Sequence, residues 1–174
     1  MYQPYPSGDQ QPVTPPPEPP QPVRTAVRLM YAGAALSAIE IIIGLVTISS
    51  LKSAIKSQYP GYTSSQLHTA EVVGVTTVVV IGLIAIGLWL WMAWANGAGK
   101  NWARIVATVF FGLNTIDLLT LVARPHATFG LVLAIVVWLV GLGAILLLWQ
   151  RESSAYFQAR SARLRQTVAE PPLG

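Results

Sequence analysis

The 174-residue chain contains no cysteine and only two histidines. Without a thiol it forms no disulfide, no thiolate metal site and no cysteine nucleophile. Two histidines without a spaced set of further ligands predict no metal site. The sequence also lacks a phosphate-binding loop, a dinucleotide-binding fingerprint and the common hydrolase motifs. These absences predict a protein that is not an enzyme, has no catalytic residue and binds no cofactor.

Charged residues are also scarce, at 10% of the chain, against about a quarter in an ordinary soluble domain. Hydrophobic residues make up 53%. They fall in four blocks of roughly 20 residues, the length at which a helix crosses about 30 Å of hydrocarbon. The basic residues lie beside these blocks rather than on one soluble face, so no nucleic-acid partner is predicted. We predict an all-α fold, an integral membrane four-helix bundle with spans at about 27–49, 70–94, 102–123 and 127–149.

Three local patterns refine this prediction. The β-branched run at 72–80 is typical of a strand, but a lone strand leaves its backbone groups unpaired in hydrocarbon, so we predict a helix. The spacing of Thr63 and Gln66 is that of a capping box and predicts a helix start outside the bilayer. Pro125, in the connection 124–126, ends a helix and makes spans three and four neighbours.

The N-terminal segment, residues 1–22, holds nine of the 13 prolines. Because proline disrupts helices and sheets, we predict a disordered cytoplasmic tail with polyproline II character. Its PxxP patterns fit the ligands of SH3-type or WW-type domains, although such patterns arise freely in proline-rich tails. No apolar segment precedes the first span, which is therefore predicted to act as an uncleaved signal anchor.

The C-terminal segment, residues 150–174, is predicted to be a basic cytoplasmic tail. It is either an amphipathic helix that binds anionic lipid headgroups or a cytoplasmic extension of the fourth helix. In the first alternative Phe157, Leu164 and Val168 lie on one side of the helix. The candidate headgroup ligands are Arg151, Arg160, Arg163 and Arg165.

Lysine and arginine are distributed unevenly between the two sides of the predicted bundle. Eight lie in the two tails and around the connection between spans two and three, and three lie in the other two connections. This bias predicts a plasma-membrane protein with both termini in the cytoplasm. The stretch from Trp89 to Arg104 is predicted to anchor the interface, with a lipid-headgroup or partner site as the alternative. The predicted anchors are Trp89, Trp91, Trp94, Trp102, Arg104 and Trp149.

Two acidic residues, Glu40 and Asp117, fall inside predicted spans, where a charge is costly and normally faces protein or water. Asn114 lies one turn from Asp117 on the same helix face. We predict that the first and third helices bring Glu40, Asn114 and Asp117 together in a buried intramembrane polar cluster. Stripes of small residues predict helix packing at Gly33, Ser37, Gly44, Gly130, Ala134 and Gly141.

The intramembrane acids leave three functions open. In the first, the protein is an accessory or interaction subunit of a membrane complex, and the acids hydrogen-bond neighbouring helices or a partner's span. In the second, it is a small oligomeric transporter or channel-like carrier whose acids carry protons or bind a cation. The third, a lipid-directed enzyme using His68 and Glu71, is the weakest, because Glu71 is equally explained as an acid near a helix N-terminus. We expect the first, with the lipid bilayer and a membrane-protein partner or second copy as its contacts.

One stretch of the chain carries a family resemblance. The second span is rich in tryptophan and leads through a Gly/Lys loop into Trp102-Ala103-Arg104-Ile105. Together with the proline-rich tail and the four spans, this stretch resembles the small four-span membrane proteins of uncharacterised function that are common in actinobacteria. The resemblance implies the four-helix fold and a plasma-membrane location, and it implies no site residues.

Overall fold

The structure, a computed structural model, describes residues 18–47, 53, 55–123 and 128–169. In these ranges every regular element is helical and no strand occurs. Four of the five long helices, α1 to α4, are long and apolar enough to cross a membrane, which confirms the prediction of an all-α, multi-pass membrane protein. The five are α1 (Gln21–Val46), α2 (Ser64–Gly97), α3 (Asn101–Val122), α4 (Thr128–Leu148) and α5 (Arg151–Ala169).

The start of α2 follows from its sequence. Gln66 N donates to Thr63 Oγ1 at 3.3 Å, and Thr63 N donates to Gln66 Oε1 at 2.9 Å. This reciprocal pair is the predicted capping box, and it satisfies two N–H groups that the helix cannot pair internally. The β-branched run at 72–80 lies inside α2 and is helical, as predicted.

Helix α1 begins at Gln21, earlier than the predicted span and inside the predicted N-terminal tail. Pro22 lies in its first turn, where the missing N–H has no intrahelical partner to lose. Gln21 and Pro22 therefore belong to the helix, because proline breaks a helix only in its interior. Residues 18–20 are not helical, and residues 1–17 and the connection 124–126 lie outside the described ranges.

The four spans form a bundle in which α1 and α3 lie on one diagonal and α2 and α4 on the other. Helix α1 packs extensively along α2 and α4, and α3 packs along α4, as the short connection between them predicts. Helices α2 and α3 have little contact although they are consecutive. Within the described ranges the backbones of α1 and α3 do not approach each other closely.

The buried core lies at one end of the bundle, called here the α5 end, where α1 and α3 begin and α2 and α4 finish. Many large apolar side chains elsewhere on the four spans are exposed. Such exposure is stable in a bilayer, because lipid tails are as apolar as the side chains themselves. The core residues are Val23, Ala26, Met30, Met92, Ala93, Ala107, Ala144, Leu148, Tyr156 and Phe157.

Helix α5 is a separate helix that packs across this end of the bundle. The α4 helix finishes before Trp149, and Ser153 Oγ donates to the Leu147 carbonyl at 2.7 Å. Phe157 is fully buried in the core. The segment therefore neither continues α4 nor turns Phe157 toward lipid, because the bundle end offers that side chain an apolar pocket. The side chains of Leu164 and Val168 lie outside the described part of the structure.

Candidate functional site

A cavity of about 330 Å³ lies among the four spans, beside the gap between α2 and α3. These two helices meet near the short turn that joins them and then separate, so side chains from both line the space between. Helix α4 and one side chain of α1 complete the wall. The lining residues that bear on function are Trp89, Met92, Phe110, Phe111, Asn114 and Asp117.

Aromatic side chains form much of the cavity wall, and packing between helices fixes them. The rings of Phe111 and Trp138 lie 5.5 Å apart, centre to centre. The indole Nε1 of Trp138 donates a hydrogen bond to Thr115 Oγ1 at 2.9 Å. Because Thr115 lies one turn from Phe111 on α3, the two contacts together hold Phe111 between α3 and α4.

Trp89 also belongs to this wall, not to the membrane interface where the sequence placed it. A Cβ added at Gly33 would lie 2.7 Å from the indole, and one added at Gly141 would lie 3.7 Å from it. The ring therefore packs between a glycine of α1 and a glycine of α4. Position near the end of a span indicates an interface residue, but the inward direction of this side chain follows from the space that the two glycines leave.

Asn114 and Asp117 are polar side chains in the cavity wall. They lie one turn apart on α3, as predicted, and both are exposed. Neither side chain forms a hydrogen bond or an ion pair with another residue of the described ranges. Thr120 Oγ1 donates to the backbone carbonyl of Asp117 at 2.7 Å and leaves the carboxyl group unpaired.

The predicted cluster of Glu40, Asn114 and Asp117 does not form. Glu40 lies on α1, diagonal to α3, and it is not part of the cavity wall. The prediction matched the residues by depth in the bilayer, and depth does not determine which helices are neighbours. Glu40 is half-buried, and its carboxyl has no hydrogen bond or ion pair among the residues that the structure describes.

Most of the predicted helix-packing positions are at helix contacts. A Cβ added at Gly44 would lie 2.9 Å from Val78, so α1 and α2 approach closely there. Ala134 is half-buried. Gly130 is exposed and has open space around an added Cβ, so its predicted packing role is not realised within this chain. The positions found at close contacts or fully buried are Gly33, Ser37, Gly44 and Gly141.

Arg104 holds three helices together at the α5 end. Its guanidinium carbon lies 4.8 Å from the centre of the Trp149 ring and 5.5 Å from that of Phe157. Its Nη1 donates to Ser154 Oγ at 3.1 Å. The planar guanidinium stacks on aromatic faces in a way that an ammonium group does not. Arg104 was predicted to anchor the interface, but it joins α3 to the end of α4 and to α5.

The other predicted anchors form an exposed aromatic surface at the same end of the bundle. The rings of Trp91 and Trp102 lie 5.4 Å apart, and Lys100 Nζ lies 3.9 Å from the centre of the Trp94 ring. This surface surrounds the turn between α2 and α3, as an interface anchor requires. Its exposed tryptophans are Trp91, Trp94, Trp102 and Trp149.

The arginines of α5 differ in their surroundings. Arg151 and Arg165 are exposed, and Arg163 is half-buried. The guanidinium of Arg160 lies 6.0 Å from the centre of the Tyr156 ring. Its Nε is buried and has no hydrogen-bond partner in the described part of the chain. These four candidate headgroup ligands therefore do not share one environment.

Two polar side chains buried at the α5 end, Asn96 and Tyr156, were not among the predicted site residues. Asn96 is fully buried, and its Nδ2 donates to the Met92 carbonyl at 2.9 Å. Tyr156 Oη donates to the Gly97 carbonyl at 3.3 Å and so ties α5 to the end of α2. An asparagine inside the tryptophan-rich stretch was the available signal, but its burial beside Met30 of α1 is a contact between helices that the sequence does not reveal.

The start of α2 offers little chemistry. His68 is exposed and Glu71 is half-buried in the first turns of the helix. Across the described ranges, no group of three or more histidines or acids is placed to hold a metal ion. A comparison of the chain with family models, with curated proteins and with solved structures finds no match.

Proposed function

We propose that this protein is an accessory or interaction subunit of a membrane complex. The observation that carries the proposal is the Glu40 carboxyl, which lies half-buried in α1 without a partner among the described residues. A polar group left unpaired in an apolar environment costs roughly 1–3 kcal/mol. Lipid tails supply no donor at this depth, whereas a span of a partner protein can supply one.

The surroundings of Glu40 leave room for such a partner. Ile39 and Ile42, on the same part of α1, are 45% and 59% exposed. α1 carries no basic residue beyond Arg28, so the carboxyl has no cation on its own helix at this depth. A partner's span packed here would bury this apolar surface and would also supply a hydrogen-bond partner for the carboxyl. Polar residues hold helices together in membranes in this way.

We also propose that the protein lies in the plasma membrane with α5 and both termini on the cytoplasmic side. Arg24, Lys100 and Arg104 all lie at the α5 end of the bundle, together with the arginines of α5. An excess of basic residues beside short connections marks the cytoplasmic side of membrane proteins. In this orientation the exposed Arg151 and Arg165 of α5 lie on the side of the anionic cytoplasmic leaflet, which supports our proposal that arginines of α5 contact lipid headgroups.

The test is affinity purification of the tagged protein from native membranes in mild detergent, followed by native mass determination. Wild type is compared with Glu40→Gln, Glu40→Leu and the exposed-acid control Glu152→Gln. We expect a stoichiometric partner to co-purify with wild type and with the control, and to be lost with Glu40→Leu. Retention of the partner with Glu40→Gln would mean that a hydrogen bond, not a charge, holds the partner. A monomer or a homo-oligomer without a partner in every sample would refute the proposal.

A second candidate function, a small oligomeric carrier, is favoured by the cavity. A space within the hydrocarbon region that contains an unpaired carboxyl is suited to a path through the bilayer. The experiment is flux through proteoliposomes that contain wild type, Glu40→Gln or Asp117→Asn. A carrier of this kind loses flux with Asp117→Asn, whereas undiminished flux in both variants would remove the acids from any path.

A further inference from the structure

We propose that the cavity between α2 and α3 binds a hydrophobic organic cation, with Asp117 as its counter-charge and the rings of Trp89, Phe110 and Phe111 as its wall. These residues lie on α2 and α3, Glu40 is not part of the cavity wall, and the proposed ligand site does not depend on the interaction role proposed for Glu40.

The position of the cavity determines how a ligand reaches it. Because α2 and α3 have little contact, helix packing does not close the space between them, so in a bilayer this space would open sideways toward the lipid. A ligand that enters there is one that dissolves in the bilayer. The volume of about 330 Å³ is at the lower end of the range for small-molecule sites, roughly 300–1,000 Å³, and suits a compact molecule.

The charges of the wall determine the sign of the ligand. Among the residues that the structure describes, the cavity wall contains one acidic residue, Asp117, one amide, Asn114, and no lysine, arginine or histidine. The carboxyl has no hydrogen bond or ion pair with any other described residue. In a site of low dielectric constant an anion is repelled, and a neutral guest leaves the carboxyl unpaired. A cation pairs it.

The aromatic wall favours the same sign. The faces of indole and phenyl rings carry partial negative charge and attract cations within about 6 Å, with tryptophan the strongest. Quaternary ammonium groups are bound in this way in aromatic cages. Met30 and Met92 add flexible apolar contacts that adapt to the shape of the guest. An acyl chain of a lipid would fill the apolar part of the cavity but would leave Asp117 unpaired.

A matched pair of probes separates charge from shape. Phenyltrimethylammonium carries one positive charge, and tert-butylbenzene is its neutral isostere. Binding of each labelled probe to the protein in nanodiscs is measured by equilibrium dialysis, with empty nanodiscs as the baseline for partition into lipid. The three variants are Asp117→Asn, which removes the charge; Ala85→Phe, which fills the cavity from α2; and Glu152→Gln, an exposed control on α5.

We expect saturable binding of the cation to wild type and to Glu152→Gln, and weaker binding of the neutral probe. Close charge pairs in protected sites couple by about 1.5 kcal/mol or more, so Asp117→Asn lowers affinity for the cation by roughly tenfold or more. The same variant leaves affinity for the neutral probe unchanged, and Ala85→Phe abolishes binding of both. Asp117 makes no side-chain bond within the described structure, so its substitution does not threaten the fold.

Three results would overturn the proposal. Equal affinity for the two probes in wild type would show that the cavity takes neutral apolar guests, such as acyl chains. Unchanged affinity for the cation in Asp117→Asn would show that the carboxyl is not its counter-charge. Binding no greater than in empty nanodiscs would show that the cavity is not a ligand site. None of these results bears on loss of a partner in Glu40→Leu, so the two proposals fail separately.

Discussion

Replacement of Gly33 by alanine tests the packing of Trp89 directly. The added methyl carbon would lie 2.7, 2.8 and 2.9 Å from three atoms of the indole, where ordinary contacts begin near 3.4 Å. The ring would therefore have to retreat by about 0.7 Å. Behind it lies Gly141 of α4, where an added Cβ would meet the far edge of the indole at 3.7 Å. The ring moves only if α1 and α4 separate or the cavity wall shifts.

The free energies can be compared with a matched control. Overpacking of this kind lowers the free energy of unfolding by about 1–3 kcal/mol. Replacement of glycine by alanine within a helix raises it by up to about 1 kcal/mol. Gly112 of α3 is also helical but has open space around an added Cβ, so Gly112→Ala receives the helical gain without the clash. We expect Gly33→Ala to be less stable than Gly112→Ala by about 1–3 kcal/mol.

The assay is thermal unfolding of wild type and the two variants in one detergent, followed by tryptophan fluorescence. Gly33→Ala should unfold at a lower temperature than wild type, and its near-ultraviolet circular dichroism should change because the environment of Trp89 changes. Gly112→Ala should unfold at or above the wild-type temperature with an unchanged spectrum. If Gly33→Ala were as stable as Gly112→Ala, the packing of the indole against α1 would be refuted.

Two further predictions concern contacts between helices. Arg104→Lys keeps the positive charge but loses the planar stacking against Phe157, so we expect faster hydrogen exchange and proteolysis of α5. Rates equal to those of wild type would show that Arg104 does not hold α5 against the bundle. Thr115→Val removes the acceptor of the Trp138 indole N–H, which should destabilise the protein by roughly 1–3 kcal/mol. Thr120→Val, which loses only a hydrogen bond within its own helix, should have a smaller effect. Equal effects of the two substitutions would contradict the role of the hydrogen bond between α3 and α4.

The features that the sequence predicts correctly depend on local properties. The lengths of the apolar blocks predict four spans, and the spacing of Thr63 and Gln66 predicts the start of α2. In both cases the physical cause lies within one helix. The neighbourhood of Asn114 and Asp117 on one face of α3 is likewise a property of one helix, and it too is found in the structure.

The features that the sequence does not predict depend on contacts between helices. Glu40 and Asn114 have similar depth, yet they lie on helices at opposite corners of the bundle. The position of Trp89 near the end of its span predicts an interface residue, but its indole packs inward against glycines of two other helices. The basic composition of α5 favours a lipid-bound or extended helix, and only the pocket at the bundle end shows why Phe157 turns inward. Each of these three errors concerns which residues are in contact, not secondary structure.

The location of the core at the α5 end has a consequence for how the protein is made. Phe157 and Tyr156 complete a core that otherwise consists of the ends of the four spans. Because α5 follows all four spans in the chain, that core stays open throughout their insertion into the membrane and closes only when α5 arrives. Until then the helices are held together at this end mainly by their own contacts, and surfaces that the finished protein buries stay accessible.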